Sequence, residues 1–156
     1  MFETRLQTYW DDADPAGQVF FAHFFRFAEY AETELFRANG TERMKLYRDL
    51  DVLMPRVESF ARFTKPIPAE EAIFIRLRTR FKGEKTVRME FEFLSVHDRS
   101  LLAEGYITAV CIDRRTRKSR PLPQMMRDVF ARAEADTPDL YSDMSARNSA
   151  RLIERE

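Results

Sequence analysis

The stretch Asp12-Ala13-Asp14-Pro15-Ala16-Gly17-Gln18-Val19-Phe20-Phe21 opens a long apolar segment that runs to Gly40, and its reading decides the fold. Pro15 fixes φ directly after an aspartate, and Gly17 permits a backbone conformation closed to other residues, so Asp11 to Gly17 reads as a tight turn. From Val19 to Ala38 the pattern predicts a helix. Its apolar residues (Phe20, Phe21, Phe24, Phe25, Phe27, Ala28, Ala31, Leu35, Phe36) first cover most of the circumference and then narrow to one stripe. Such a helix has its first turns surrounded by protein and its end capped at Asn39-Gly40. A carboxylate in a turn just before it shares a small volume with the free N–H groups of the helix start. An anionic base or nucleophile beside an oxyanion-binding helix end is one way to hydrolyse an acyl compound.

On the N-terminal side, Phe2 to Trp10 alternates, with Phe2, Leu6 and Trp10 on one face, and predicts a first strand. Beyond Gly40 a short polar helix is expected over Glu42 to Leu50. The remainder reads as sheet: Val57 to Phe63, Ala72 to Phe81, Thr86 to Val96 and Leu101 to Ile112 are rich in β-branched and aromatic residues. Ile73, Ile75, Leu77, Thr79 and Phe81 alternate cleanly, as do Val87, Met89, Phe91 and Phe93. Lys82-Gly83-Glu84, His97-Asp98-Arg99 and Asp113-Arg114-Arg115 are turn-like links, which makes the sheet largely antiparallel. The expected class is therefore α+β, one long helix wrapped by a strand meander. Pro121-Leu122-Pro123 closes the sheet. A helical segment, Met125 to Ala135, follows, and then a charged stretch to Glu156 with few large apolar residues, read as partly mobile. The expected division is a main domain over 1–127 and a C-terminal tail over 128–156.

Composition narrows the functions. The 156 residues suit one domain able to bury about two-thirds of its unfolded surface. Lysine plus arginine equals aspartate plus glutamate at 26 each, so no net field favours nucleic acid or anionic membrane. No apolar run approaches the roughly 20 residues of a membrane span, and Met1-Phe2-Glu3-Thr4-Arg5 lacks the order of a secretion signal. A single cysteine, Cys111, excludes an intrachain disulfide and fits a reducing compartment, so a cytoplasmic location is expected. With two histidines and that one cysteine, a zinc site of ordinary type lacks ligands, and no phosphate-binding glycine motif is present. The expectation is a reaction without metal or cofactor.

The turn Asp12-Ala13-Asp14-Pro15-Ala16-Gly17, followed by Val19-Phe20-Phe21, Phe24 and Glu29, resembles the signature of the 4-hydroxybenzoyl-CoA thioesterase-like family of hotdog-fold acyl-CoA thioesterases. Looser matches are Pro66 in the second long strand, Lys85-Thr86, Ala103-Glu104-Gly105 and Leu122-Pro123, covering roughly residues 5 to 127. The resemblance implies a hotdog fold, a curved antiparallel sheet around one central helix, paired edge to edge in a homodimer and commonly assembled into a homotetramer. It places the catalytic carboxylate on Asp14 and the carbonyl-polarising donor on the Phe21 backbone N–H. Gly17, Val19, Phe20, Phe24 and Glu29 fall on the matched positions that border substrate, and Lys85 on a basic position that meets a CoA phosphate. Many relatives carry a tyrosine-histidine pair where this chain has Phe20-Phe21. That change makes the pocket mouth more apolar and leaves the backbone donor in place, since any residue but proline supplies one.

The implied activity is hydrolysis of an acyl thioester of CoA or of an acyl-carrier protein. Asp14 can attack the carbonyl to form a mixed anhydride or deprotonate water, and the residues do not choose between the two. A helix-start donor on the carbonyl oxygen lowers such a barrier by about 3 kcal/mol. The plainer readings are a turn-stabilising side chain for Asp12, a salt bridge for Glu29, a partly buried helix residue for His23 and inert packing for Cys111. The rival function is a non-catalytic module that binds acyl-CoA or acyl-carrier protein in the same pocket. A hydratase of the same fold lacks its usual histidine pairing, with His23 nine residues from Asp14.

Overall fold

Period-2 alternation and period-3.6 alternation divide this chain cleanly, and the computed structural model, which describes residues 1–142, follows that division. Five antiparallel strands, β1 (Phe2–Gln7), β3 (Arg56–Phe63), β4 (Ala72–Phe81), β5 (Thr86–Ser95) and β6 (Leu101–Val110), form one sheet in the order β1-β4-β5-β6-β3. Two short strands, β2 (Val52–Leu53) and β7 (Ile112–Asp113), pair separately. The register sets Ile75 opposite Phe93 and Met89 opposite Ile107, so large inward residues meet across neighbouring strands. Along β6 the inward row is Ala103, Gly105, Ile107 and Ala109, and all but Ile107 are small residues that let a helix approach.

That helix is α1 (His23–Ala38), and it lays Phe24, Phe27, Ala28, Ala31, Leu35 and Phe36 against the sheet. The spacing is that of a single helical stripe, and each fully buried phenylalanine or leucine contributes about 1.5–3 kcal/mol. Its C-terminus is a Schellman motif: Thr41 N–H bonds Phe36 O at 3.2 Å, Gly40 N–H bonds Arg37 O at 2.9 Å, and Gly40 has φ +73°. The expected sheet wrapped around one central helix is therefore present, and the arrangement is a hotdog fold. A second helix, α2 (Arg43–Asp49), follows the first, and no helix among the described residues is long and apolar enough to cross a membrane.

Local boundaries differ from the sequence reading for identifiable reasons. The first strand stops at Gln7, and a 3-10 turn over Trp10–Asp12 carries Trp10 away from Phe2 and Leu6 to a position 80% exposed. The long helix starts at His23 rather than Val19, because Val19 N–H bonds Ile67 O at 2.9 Å and Phe20 N–H bonds Asp12 O at 2.9 Å. Those bonds tie the segment to the β3–β4 loop and to Asp12 and hold it out of a helical turn. Pro66 lies in the loop between β3 and β4 and not in a strand, consistent with its missing donor.

The helix α3 (Gln124–Ala131) runs through the expected break between residues 127 and 128. Phe130 packs edge-on against Phe36 at 5.5 Å, and the chain then pairs beside Thr79, with Thr79 N–H to Ala133 O and Ala135 N–H to Thr79 O both 2.9 Å. From there it crosses the outer face of the sheet as a strap. Arg80 donates to Thr137 O at 2.6 Å and to Pro138 O at 2.8 Å, and Tyr141 packs on Tyr106 at 4.9 Å. The tail expected to be partly mobile is thus packed as far as Tyr141, while its remainder, 143–156, lies outside the described residues.

Candidate active site

The turn ahead of α1 is built as its residues require. Gly17 N–H bonds Asp14 O at 3.0 Å around Pro15 and Ala16, and Asp14 N–H bonds Gln18 O at 2.7 Å. With Gly17 at φ +78°, this is a type I turn followed by a left-handed residue, a common three-residue hairpin closure. The Asp14 side chain is fixed inside it: Oδ1 accepts Ala16 N–H at 2.8 Å and Gln18 N–H at 3.2 Å. Both bonds fall on one oxygen, and Oδ2 has no partner among the described residues.

The start of α1 is uncapped. Ala22 occupies the N-cap and has no side chain able to accept a hydrogen bond. His23 N–H bonds Phe20 O at 2.9 Å and Phe24 N–H bonds Phe21 O at 3.2 Å, whereas the Phe21 and Ala22 amides meet no acceptor among the described residues. Donors left open at a helix start, where the backbone dipole is positive, suit an anionic or carbonyl oxygen.

These two features border one cleft of about 340 Å³. Asp14, Val19, Phe20, Phe21 and Phe24 line one side, and Phe63 at the end of β3 with Thr64, Lys65, Pro66 and Ile67 of the β3–β4 loop line the other. A second depression of about 510 Å³ adjoins it through Lys65 and Pro66, with His97 and Glu71 3.1 Å apart on its wall. The lining near Asp14 is mostly aromatic and aliphatic, so it can hold an apolar acyl group while backbone donors hold its carbonyl.

The structure brings five of the expected site residues, Asp14, Val19, Phe20, Phe21 and Phe24, to this cleft. Gly17 shapes the turn without lining it. Glu29 points elsewhere: Oε2 meets Arg43 at 2.6 Å and Oε1 meets Arg56 at 2.6 Å, beside the buried Glu32. Burial opposes the Glu29 charge, but Arg56 and Arg43 outweigh it and hold the carboxyl below its ordinary range. Burial keeps Glu32 above that range despite the same two arginines, and it raises the Tyr47 phenol well above its own. Lys85 is remote as well. It follows β4, whose ten residues span about 30 Å from the Asp14 end of the sheet, and its Nζ lies 3.2 Å from Ser119 Oγ.

Asp12, read as a turn residue, is an anchor. Its carboxylate is 2% exposed, accepts Tyr9 N–H at 2.8 Å, pairs with Arg26 and lies 3.2 Å from His23 Nδ1. It ties the 3-10 turn to the first turn of α1, and His23 does not line the cleft. The wall formed by Phe63, Lys65 and Ile67 escaped the sequence reading. Its one signal was the position of Phe63, which alternates with Ala61 and Ser59 and sits opposite Ala103 of the helix-facing row.

A hotdog sheet around a helix whose open start borders a carboxylate turn defines a class, enzymes of acyl-thioester chemistry. Residues 8–130 match the family model described as the Thioesterase-like superfamily, and the chain belongs to that family. It is 27% identical over 116 residues to a 1,4-dihydroxy-2-naphthoyl-CoA hydrolase from Rippkaea orientalis, covering 74% of this chain and 84% of that protein. It is 26% identical over 128 residues to the acyl-CoA thioester hydrolase YbgC from Escherichia coli, covering 80% and 91%. Among solved structures, a 1,4-dihydroxy-2-naphthoyl-CoA thioesterase from Synechocystis superposes with a TM-score of 0.78 at 23% identity, covering 88% and 98%, a likeness of fold. The chain is a thioester hydrolase of this superfamily.

Proposed function

We propose that the chain hydrolyses an acyl-CoA thioester at the cleft between Asp14 and the start of α1. The observation that most supports this reading is the joint lining of one cleft by Asp14, whose carboxylate is fixed through a single oxygen, and by Phe21, whose amide meets no acceptor among the described residues. The Phe21 N–H polarises the carbonyl and stabilises the charge that develops on its oxygen. Asp14 either takes a proton from water, whose oxygen then bonds the acyl carbon, or bonds that carbon itself to give an anhydride that water opens. On both routes the carbon–sulfur bond breaks, the free acid forms and the thiol leaves with a proton. Protein groups carry these steps without a metal or redox cofactor. The thiol carrier is CoA, with an acyl-carrier protein as the alternative substrate form.

The proposed assembly is at least a homodimer, with a homotetramer as its extension, in a cytoplasmic location. The edge strand β3 supports the dimer: it has eight residues, contains no proline and leaves Val57 and Phe63 exposed. Sedimentation velocity measures the assembly. Thiol release from a panel of acyl-CoA esters, with Asp14→Asn as the comparison, tests the chemistry. Release that depends on Asp14 supports the reading, and release that is equal in both proteins rejects it.

A further inference from the structure

The cleft beside Asp14 differs in kind between its rim and its base. Phe20, Phe21, Phe63 and Lys65 around the mouth are all exposed. The deepest lining residues are Phe24 and Ile67, 1% and 5% exposed. Phe24 sits three positions after Phe21, in the first turn of α1, a separation of about 5 Å at the rise of a helix. Its ring stacks on Phe93 of β5 at 4.5 Å and meets Phe63 edge-on at 6.0 Å.

Behind the ring tip lies Gly105 of β6. A Cβ at that position would come within 3.0 Å of Phe24 Cζ and 2.1 Å of Phe60 O. Gly105 is needed here for space and not for backbone freedom, since its φ is not positive. One consequence of the missing side chain is a seat for the Phe24 ring. The ring is therefore held on one face by Phe93 and at its tip by the β6 backbone.

We infer that Phe24 is the floor of the acyl subsite and restricts the substrate to a short or compact apolar acyl group. This rests on the proposed thioesterase reading of the cleft. With the carbonyl at Phe21 N–H, the charged nucleotide of CoA stays at the rim and the acyl group points inward. Only the width of one helical turn separates that carbonyl from the Phe24 ring. A ring or a few methylenes fit in this space, and a long chain meets a wall that cannot move aside.

Removing the ring opens an apolar void behind the cleft, and voids of this kind stay dry and accept apolar guests. Phe24→Ala and the milder Phe24→Leu thus lengthen the subsite. The test is binding of non-hydrolysable acyl-CoA thioethers, from acetyl through benzoyl to dodecanoyl, by titration calorimetry on the full chain and both variants. Thiol release from the matching thioesters is followed in parallel. Wild type is expected to prefer the short and benzoyl analogues. The variants should move the long-to-short affinity ratio toward long chains by roughly tenfold or more, the value of a few newly buried methylenes. Damage to folding lowers every affinity together and leaves that ratio unchanged, and Phe24→Leu supplies the reading if Phe24→Ala does not fold. An unchanged ratio in the variants, a wild type that already favours dodecanoyl, or no binding of any analogue overturns the assignment. A shifted ratio without thiol release from any protein upholds the floor and rejects the thioesterase reading.

Discussion

Arg56, at the start of the edge strand β3, grips Glu29 of α1 through one carboxylate oxygen, with Nε at 2.9 Å and a terminal nitrogen at 2.6 Å. The same guanidinium reaches Glu32, and Arg43 meets both glutamates at 2.6 and 2.8 Å. Two carboxylates thus face two guanidinium groups, with Tyr47 Oη 3.3 Å from Glu32 and Glu32 itself 1% exposed. Removing one cation leaves a buried carboxylate half-neutralised. Arg56→Ala is expected to lower the unfolding free energy by about 3–5 kcal/mol, read from urea denaturation. A loss below about 1 kcal/mol would mean that solvent, not Arg56, balances Glu32.

Asp14→Asn separates turn from chemistry. An asparagine Oδ1 still accepts the Ala16 and Gln18 N–H bonds, so the hairpin and the melting temperature should persist. What disappears is the negative charge that either mechanism needs. Hydrolysis is expected to fall by about 10²–10⁴-fold with unchanged circular dichroism. A variant that keeps most of its turnover would remove Asp14 from the mechanism.

Gly17→Ala tests the aim of that carboxylate. An added Cβ would meet nothing within 4 Å, so its cost comes from φ +78° alone, about 1–2 kcal/mol. For a chain of this length that corresponds to a fall in melting temperature of roughly 2–6 °C. Relaxing the strain moves the turn, so turnover should fall more than the loss of folded protein explains. Equal activity per folded molecule would show that Asp14 tolerates a displaced turn.

The parts of the fold governed by a period were legible in the residues, and the parts governed by hydrogen bonds between distant segments were not. Ile73-Ile75-Leu77 and Phe24-Ala28-Ala31-Leu35 announce a strand and a helix face through spacing alone. Val19 and Phe20 look helical by the same measure, yet Ile67 O and Asp12 O bind their amides and hold them extended. The site was half visible in the same way. Asp14 and the phenylalanines around it stand together in one local motif. The facing wall arrives from the end of β3 and the β3–β4 loop, roughly forty residues on, and only the folded sheet brings it near. Glu29 belonged to the motif but not to the cleft, because Arg43 and Arg56 are supplied by α2 and β3 and turn its carboxylate toward them.

Asp139 makes the strap sensitive to acid. Its carboxylate pairs with Lys82, lies 3.1 Å from Arg88 and accepts Tyr141 N–H at 3.0 Å. Burial works against the charge, but the Lys82 hydrogen bond, the Tyr141 amide and the Arg88 charge together outweigh it and hold the group below its ordinary range. A carboxylate depressed on folding stabilises the native state above its unfolded value, about 3.9, and loses that contribution as pH falls through the lower folded value. Asp139→Asn, near in shape to the protonated acid, should therefore be less stable than wild type by about 1–2 kcal/mol at neutral pH. The difference should hold down to about pH 5 and close toward pH 3, in paired melting curves whose other carboxylates titrate alike. A gap that stays constant across that range would show that the strap is held by Arg80 and Tyr141 without help from the Asp139 charge.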